Sequence, residues 1–269
     1  MNLSLKELFL NSDNYISKHK KYFDVYEESF SKYIGKNIIF VEIGIFNGGS
    51  LKVWKEYFGP NAKIIGIDIN PECKKFEEDG IQVFIGNQSD PKFWDNFFKQ
   101  IGNVDIILDD GGHTNLDQIT TTIKCVNKIN DGGLLMIEDT HTSYMEFYNS
   151  SKKYSFINFA KKIIDDVNYT FPFGIKKNFN YSLNEHIYSS HFYESIVVFK
   201  INKKKTIQNE IIENQGKYHD IEDLVRQGNE IYIYPLKKFI NKISFISLRK
   251  LTKYLRNKTN NKFLQKFFS

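Results

Sequence analysis

Arginine, cysteine and long apolar runs are what this 269-residue sequence has least of. Its two cysteines, Cys73 and Cys125, lie far apart and show no CxxC or Cys/His spacing, which excludes a disulfide framework and a zinc site. A reduced, cytoplasmic protein is the expectation. No run of about 18 uncharged apolar residues occurs, and the stretch Met1 to Phe9 carries Lys6 and Glu7 where a signal peptide would have an apolar core. Neither a spanning helix nor secretion is therefore expected. Arginine appears only at Arg226, Arg249 and Arg256, so everything before position 226 lacks guanidinium forks for bidentate phosphate binding.

The net charge of +5 hides an uneven distribution. Residues 236 to 269 hold ten of the 37 basic residues and no acidic one, which leaves 27 basic against 32 acidic residues, a net of −5, elsewhere. Leu236, Phe239, Ile240, Ile243, Leu248, Leu251 and Leu255 recur at helical spacing between the lysines, the pattern of a basic amphipathic helix. Such a tail is expected to pack on a subunit or to touch an anionic membrane peripherally. No nucleic-acid partner is expected, because the body has no basic face.

From residue 37 onward short β-branched runs alternate with helical patterns, as in βαβ units with a parallel sheet. Strands are predicted at Asn37 to Ile43, Lys63 to Ile67, Ile81 to Ile85, Val104 to Leu108 and Gly133 to Ile137. A final antiparallel pair is predicted at Ile187 to Tyr193 and Ser195 to Ile201. Helices are predicted at Ser50 to Phe58, Pro71 to Glu78, Lys92 to Gln100, Asn115 to Lys128 and Ser155 to Val167. The fold class is thus α/β, a Rossmann-like sheet of seven strands whose last pair is antiparallel. Residues 1–36 read as a helical, aromatic-rich N-terminal segment, 37–203 as the catalytic domain, 142–186 as a lid or substrate wall, and 204–269 as a basic, helical extension.

The first strand runs into Glu42-Ile43-Gly44-Ile45-Phe46-Asn47-Gly48-Gly49-Ser50, where a helix opens. Gly44 and Gly48 let the backbone approach a ligand, or else merely let helix pack on strand. In the dinucleotide register GxGxxG the middle glycine is replaced by Phe46, which disfavours a nicotinamide-dependent oxidoreductase, the alternative enzyme reading. Asp68 ends the second strand 20 residues after Gly48, where a carboxylate accepts hydrogen bonds from ribose hydroxyls. A nucleoside without pyrophosphate fits, and S-adenosylmethionine is the obvious one. Asn87 and Gln88, after the third strand, suit either adenine contact or a turn.

Two acidic pairs, Asp109-Asp110 and Glu138-Asp139, end the fourth and fifth strands. Neighbouring parallel strands are about 5 Å apart, so these carboxylates converge and must be protonated, hydrogen-bonded or neutralised. With no arginine in the body, a divalent metal is the economical answer, and oxygen ligation favours Mg²⁺. His113 follows Asp110 by three residues and can take a proton near neutral pH. A catalytically silent binding module acting through the tail is the reading from a different class.

These segments together resemble the metal-dependent class I sugar O-methyltransferases typified by the mycinamicin, macrocin and rhamnosyl-tetracenomycin enzymes, with relatives often called cephalosporin hydroxylases. The matching text is Ser12-Asp13, His19, Tyr22, Tyr26-Glu27 and Phe30, then VEIGIFNGGSLKVW, IIGIDIN, GNQSDP, DDGGH, EDTHTSY and HFYESIVVFK, spanning about residues 12–203. The resemblance implies S-adenosylmethionine held by Glu42, Gly44, Asp68 and Asp109, magnesium on Asp110, Glu138 and Asp139, and His113 as general base. It implies a sugar-containing acceptor, with a homo-oligomer expected. Two positions depart from the family pattern: Asn87 stands where Asp is usual, and Asp117 where His is common.

Overall fold

The computed structural model describes residues 3–78, 80–148, 153–169, 182–207, 210–217 and 219. Five β-branched runs form parallel strands: β1 (Ile39–Ile43), β2 (Lys63–Asp68), β3 (Ile81–Ile85), β4 (Val104–Asp109) and β5 (Ile129–Ile137). The antiparallel pair β6 (Ile187–Tyr193) and β7 (Ile196–Ile201) completes one seven-stranded sheet in the order β3-β2-β1-β4-β5-β7-β6. Strand order reverses between β1 and β4, and open α/β sheets bind ligands beyond the carboxyl ends at such a crossing.

Among the described residues six α-helices accompany the sheet: α1 (Leu5–Leu10), α2 (Tyr22–Phe30), α3 (Gly49–Phe58), α4 (Pro91–Ile101), α5 (Asn115–Cys125) and α6 (Phe156–Asn168). Their starts are written locally. Asp90 caps α4 ahead of Pro91, Thr114 and Asp117 form a reciprocal capping box on α5, and Ser155 caps α6. Because β1, β4 and β5 carry apolar side chains on both faces, each face is covered by helices. One core gathers Tyr26 and Phe30 of α2 with Phe40, Trp54 and Phe58, all fully buried; the other gathers Trp94, Phe97, Cys125 and Phe156 with the opposite side of the strands. Buried aromatics of this size are each worth about 3–5 kcal/mol on truncation, so α2 is integral to the fold.

Residues 1–211 form one compact unit that includes the N-terminal helices, and residues 212–269 form a second. The break thus falls eight residues beyond the expected 203/204 boundary. In the second unit the described residues, 212–217 and 219, have no regular secondary structure. The expected basic helix and membrane contact at residues 236–269 lie outside the described residues, as do 149–152 and 170–181 of the expected lid.

Two elements differ from the reading of the sequence. The segment after Asn70 is a 3-10 helix, Pro71–Phe76, that stops before Glu78, because Glu77 is extended and its carboxylate accepts from the Val83 N–H and from Lys74. Strand β5 begins at Ile129, earlier than Gly133; Val104 pairs with Ile129, and the ladder resumes at Ile106 and Leu134 after a bulge containing Gly132 at φ 89°.

Candidate active site

A cleft of about 770 Å³ opens at the carboxyl ends of β1, β2 and β4, within the size range of small-ligand sites. One wall is the turn from β1 to α3. Gly44 has φ 83°, and a Cβ there would collide with the Asp110 carbonyl oxygen, so only glycine lets the two strand ends meet. Asp68 braces this turn: its Oδ2 accepts the N–H groups of Ile45 (3.0 Å) and Phe46 (3.1 Å), and its Oδ1 accepts that of Asn70 (2.9 Å). Phe46 sits at φ 42° with its ring 72% exposed at the mouth.

Strand register sorts the carboxylates. Glu42 is opposite Leu108, and Leu108 is opposite Met136, so Asp110 and Glu138, each two residues further, continue the same sheet face. Three carboxylates from three adjacent strands therefore point toward α2 and α3. Asp109 and Asp139 fall on the alternate parity. Asp109 turns into the other core, where Gln88 Nε2 donates to both its oxygens (2.9 and 3.1 Å) and Gly111 N–H to one (3.2 Å). Burial pushes its carboxyl up to about 6.

Over the row of three lies Lys18, delivered by the irregular stretch between α1 and α2. Its side chain is 4% exposed, and its ammonium donates to Asp110 Oδ2 (2.5 Å) and Glu138 Oε2 (2.9 Å) while standing 4.0 Å from Glu42 Oε1. Burial alone would favour loss of its proton, yet the surrounding charges, Asp110 and Glu138 foremost, hold it well above the usual lysine range. Glu138 is fully buried, with its other oxygen accepting from the Tyr26 hydroxyl; burial raises its pKa and Lys18 opposes that rise. Burial likewise lifts Glu42 to about 7, against the pull of Lys18 and the bond from Ser50 Oγ (2.6 Å).

On the cleft side of this row stand Asp139 and His113. Both adopt left-handed backbone conformations uncommon for residues other than glycine, φ 52° and 57°, a form of strain that gathers at functional sites. His113 Nε2 lies 3.6 Å from Asp139 Oδ2 and 3.9 Å from Asp110 Oδ1, and its buried Nδ1 has no hydrogen-bond partner among the described residues. Tyr22 Oη donates to Asp139 Oδ1 (2.5 Å), while His19 and His141 each approach that oxygen to 3.9 Å. Ligand atoms of Asp110, His113 and Asp139 lie within 4.8 Å of one another, a spacing that one metal ion can bridge.

Curated proteins similar to this chain include two O-methyltransferases. The 8-demethyl-8-α-L-rhamnosyl tetracenomycin-C 2'-O-methyltransferase of Streptomyces olivaceus is 30% identical over 159 residues, 55% of this chain and 41% of the relative. The mycinamicin VI 2''-O-methyltransferase of Micromonospora griseorubida is 33% identical over 126 residues, 44% of this chain and 31% of the relative. The chain thus matches less than half the length of either. No protein-family profile matches it. Among solved structures, the methyltransferase MycE from the mycinamycin biosynthetic pathway, in complex with Mg and SAH, aligns at TM-score 0.69 and 23% identity, over 85% of this chain and 61% of its own.

The fold is that of class I methyltransferases. On this methyltransferase fold the residues expected at the donor separate into two groups. Gly44, Asp68, Asn87 and Gln88 line the cleft. Glu42 and Asp109 are buried behind it, and Gly48, at φ 69° as the cap of α3, faces the Phe76 ring. Asn87 is held in a turn by accepting from Ser89 N–H (2.9 Å), and Gln88 ties the loop after β3 to Asp109 and Gly112 (2.8 Å).

Of the expected metal trio, Asp110 and Asp139 come together beside His113, within 4.8 Å, and Glu138 lies next to Asp110 with its oxygens engaged by Lys18 and Tyr26. Absence of arginine did not leave the carboxylates without a cation. Lys18 belongs to the run Lys18-His19-Lys20-Lys21, which has the look of a solvated charge cluster; Tyr22 and Tyr26, one helical turn apart on α2, were the visible signal that this segment faces the site.

Proposed function

We propose that this chain is an S-adenosylmethionine-dependent, Mg²⁺-dependent O-methyltransferase whose acceptor is a sugar hydroxyl of a glycan, a nucleotide-sugar or a glycosylated natural product. The observation that carries this reading is the adjacency of the glycine-walled cleft and the Asp110–His113–Asp139 cluster, joined where Gly44 meets the Asp110 backbone. Support also comes from the relatives, O-methyltransferases of rhamnosyl tetracenomycin and of mycinamicin VI, and from MycE, whose structures contain Mg, SAH and mycinamycin VI. Surface polysaccharide is among the acceptors this proposal covers. A cytoplasmic setting belongs to it as well, in keeping with Cys73 and Cys125, both free and buried.

The residues present fit both groups. Two carboxylates converging within 4.8 Å suit a hard divalent cation, which Asp110 and Asp139 would hold, and the neighbouring His113 imidazole is left for proton transfer. Gly44, without a Cβ, and Asp68, at the end of β2, suit a nucleoside donor. When bound, S-adenosylmethionine supplies an electrophilic methyl group, and Mg²⁺ supplies charge that lowers the pKa of a coordinated alcohol. The chain's own work is to place and deprotonate. His113 takes the acceptor hydroxyl proton at Nε2, the nitrogen turned toward Asp110 and Asp139. The Tyr22 hydroxyl fixes Asp139, so that carboxylate does not have to reorganise during the reaction. Thr142 Oγ1 donates to the His113 carbonyl (2.8 Å) and holds the loop that presents the imidazole.

Calorimetric titration with S-adenosylhomocysteine and Mg²⁺, followed by methyl-transfer assays on a glycoside panel, tests the proposal. His113→Ala is expected to lower kcat by about 10²- to 10⁴-fold with donor affinity unchanged, and EDTA to abolish turnover. Full activity in EDTA would falsify the role of the metal.

A further inference from the structure

Lys18 supplies a cation to the same carboxylates that face the ion cluster. The ammonium takes Asp110 Oδ2, and Asp110 Oδ1 is the oxygen nearest His113 Nε2, so the two oxygens of one carboxylate serve opposite sides. A divalent ion held by Asp110 would share that carboxylate with the ammonium, whose own side chain is only 4% exposed. Like charges that close repel far more strongly than in bulk water. Each therefore weakens the other's hold, and by linkage the effect is equal in both directions.

The same lysine secures a strap. Residues 11–21 are irregular and cross the cleft mouth, contributing Tyr15, Ile16, Ser17 and Lys18 to its lining. Ile16 packs against Gly49, where a Cβ would clash with it. Beyond Lys18 the strap is tied by exposed pairs, Lys21 with Glu194 and His19 with Asp139, and exposed pairs contribute little. The buried bonds of Lys18 are the main fastening.

We infer that Lys18 is a positioning residue that sets the ion affinity of the Asp110–Asp139 site: its ammonium and a divalent cation would compete for Asp110, so ion uptake loosens the strap that walls the donor cleft. The inference rests on the metal part of the proposed function.

The test uses the full chain and Mn²⁺ alone, with free ion counted by electron paramagnetic resonance and strap opening followed by amide hydrogen exchange. Lys18→Met is expected to bind Mn²⁺ about tenfold tighter than the wild type, and Lys18→Arg, which keeps the charge, to stay within about threefold of it. In the wild type, saturating Mn²⁺ is expected to speed exchange across residues 11–21; in Lys18→Met those amides exchange fast with or without the ion. Equal or weaker Mn²⁺ binding by Lys18→Met overturns the inference, as does a wild-type strap indifferent to Mn²⁺. Protection of β1 and β4 in the same runs reports whether each variant is folded, and the wild-type strap response decides the matter without any variant. Uptake of Mn²⁺ by Lys18→Met but not by the wild type would support Lys18 as the opposing cation while removing the metal from the proposed function. Uptake by neither overturns both. Calorimetry with S-adenosylhomocysteine tests the donor cleft separately.

Discussion

The glycine wall of the cleft is tied by hydrogen bonds between residues 22 or 23 apart, from the Asp68 carboxylate to the turn after β1, whereas the carboxylate wall is tied by side chains 92 to 120 residues apart. Backbone N–H groups do the work in the first wall. In the second the donors to Asp110, Glu138 and Asp139 from the N-terminal segment are one ammonium and two phenols, with Ser50 of α3 donating to Glu42. The first wall is half-open to solvent, and its carboxylate can exchange partners with a ligand. In the second wall, Glu42 and Glu138 are fully buried, and Lys18 of the N-terminal segment opposes the rise in pKa that burial gives to both. A donor pocket can thus be built from one βαβ unit, while a charged cluster needs its neutralising partner from elsewhere in the chain.

Cutting each wall at its central carboxylate gives the largest contrast. Glu138→Ala leaves the buried Lys18 and the Tyr26 hydroxyl short of a partner and is expected to cost about 3–5 kcal/mol of stability. Asp68→Ala, in a partly solvated turn, is expected to cost only about 1 kcal/mol while weakening S-adenosylhomocysteine binding. Urea denaturation of the two variants beside the wild type checks this, and equal losses would erase the distinction between the walls.

A smaller effect separates them by pH. Glu42 ordinarily titrates near 4.5 and is lifted to about 7 in the native state, chiefly by burial. Between those values the folded protein keeps a proton that the unfolded chain has released, so unfolding free energy falls as pH rises through that window and levels off above it. For Glu42 alone, the fall is about 2 kcal/mol between pH 5 and 7.5 in metal-free buffer. Glu42→Gln should flatten it, measured by urea denaturation at the two pH values. Asp109, lifted from 3.8 to about 6, adds a fall of the same sign at lower pH, and this is expected to remain in Glu42→Gln.

The same division explains what was legible beforehand. Strand runs such as Lys63-Ile64-Ile65-Gly66-Ile67, the glycine turn and its acidic partner are local patterns, and the sheet reproduces them to within a residue or two at most ends. The convergence of the acidic pairs was legible too, since it follows from strand adjacency. Their sorting was legible only in part: Asp109 and Asp110 face opposite sides, as strand parity requires, whereas Asp139, at φ 52°, leaves strand geometry and joins Asp110. Lys18 was not legible, because nothing local marks one lysine in Lys18-His19-Lys20-Lys21 as buried. Its environment is created by strand ends 92 and 120 residues further on.

The central claim is that a donor cleft and an ion site adjoin at Gly44 and Asp110. Crystals of the full chain grown with S-adenosylhomocysteine and Mn²⁺, with anomalous data collected at the manganese edge, test it most directly. The account predicts an anomalous peak at coordinating distance from Asp110 and Asp139, with the nucleoside in the cleft between Gly44 and Asp68. A peak elsewhere, or a cleft that leaves the nucleoside out while the ion site fills, would contradict it.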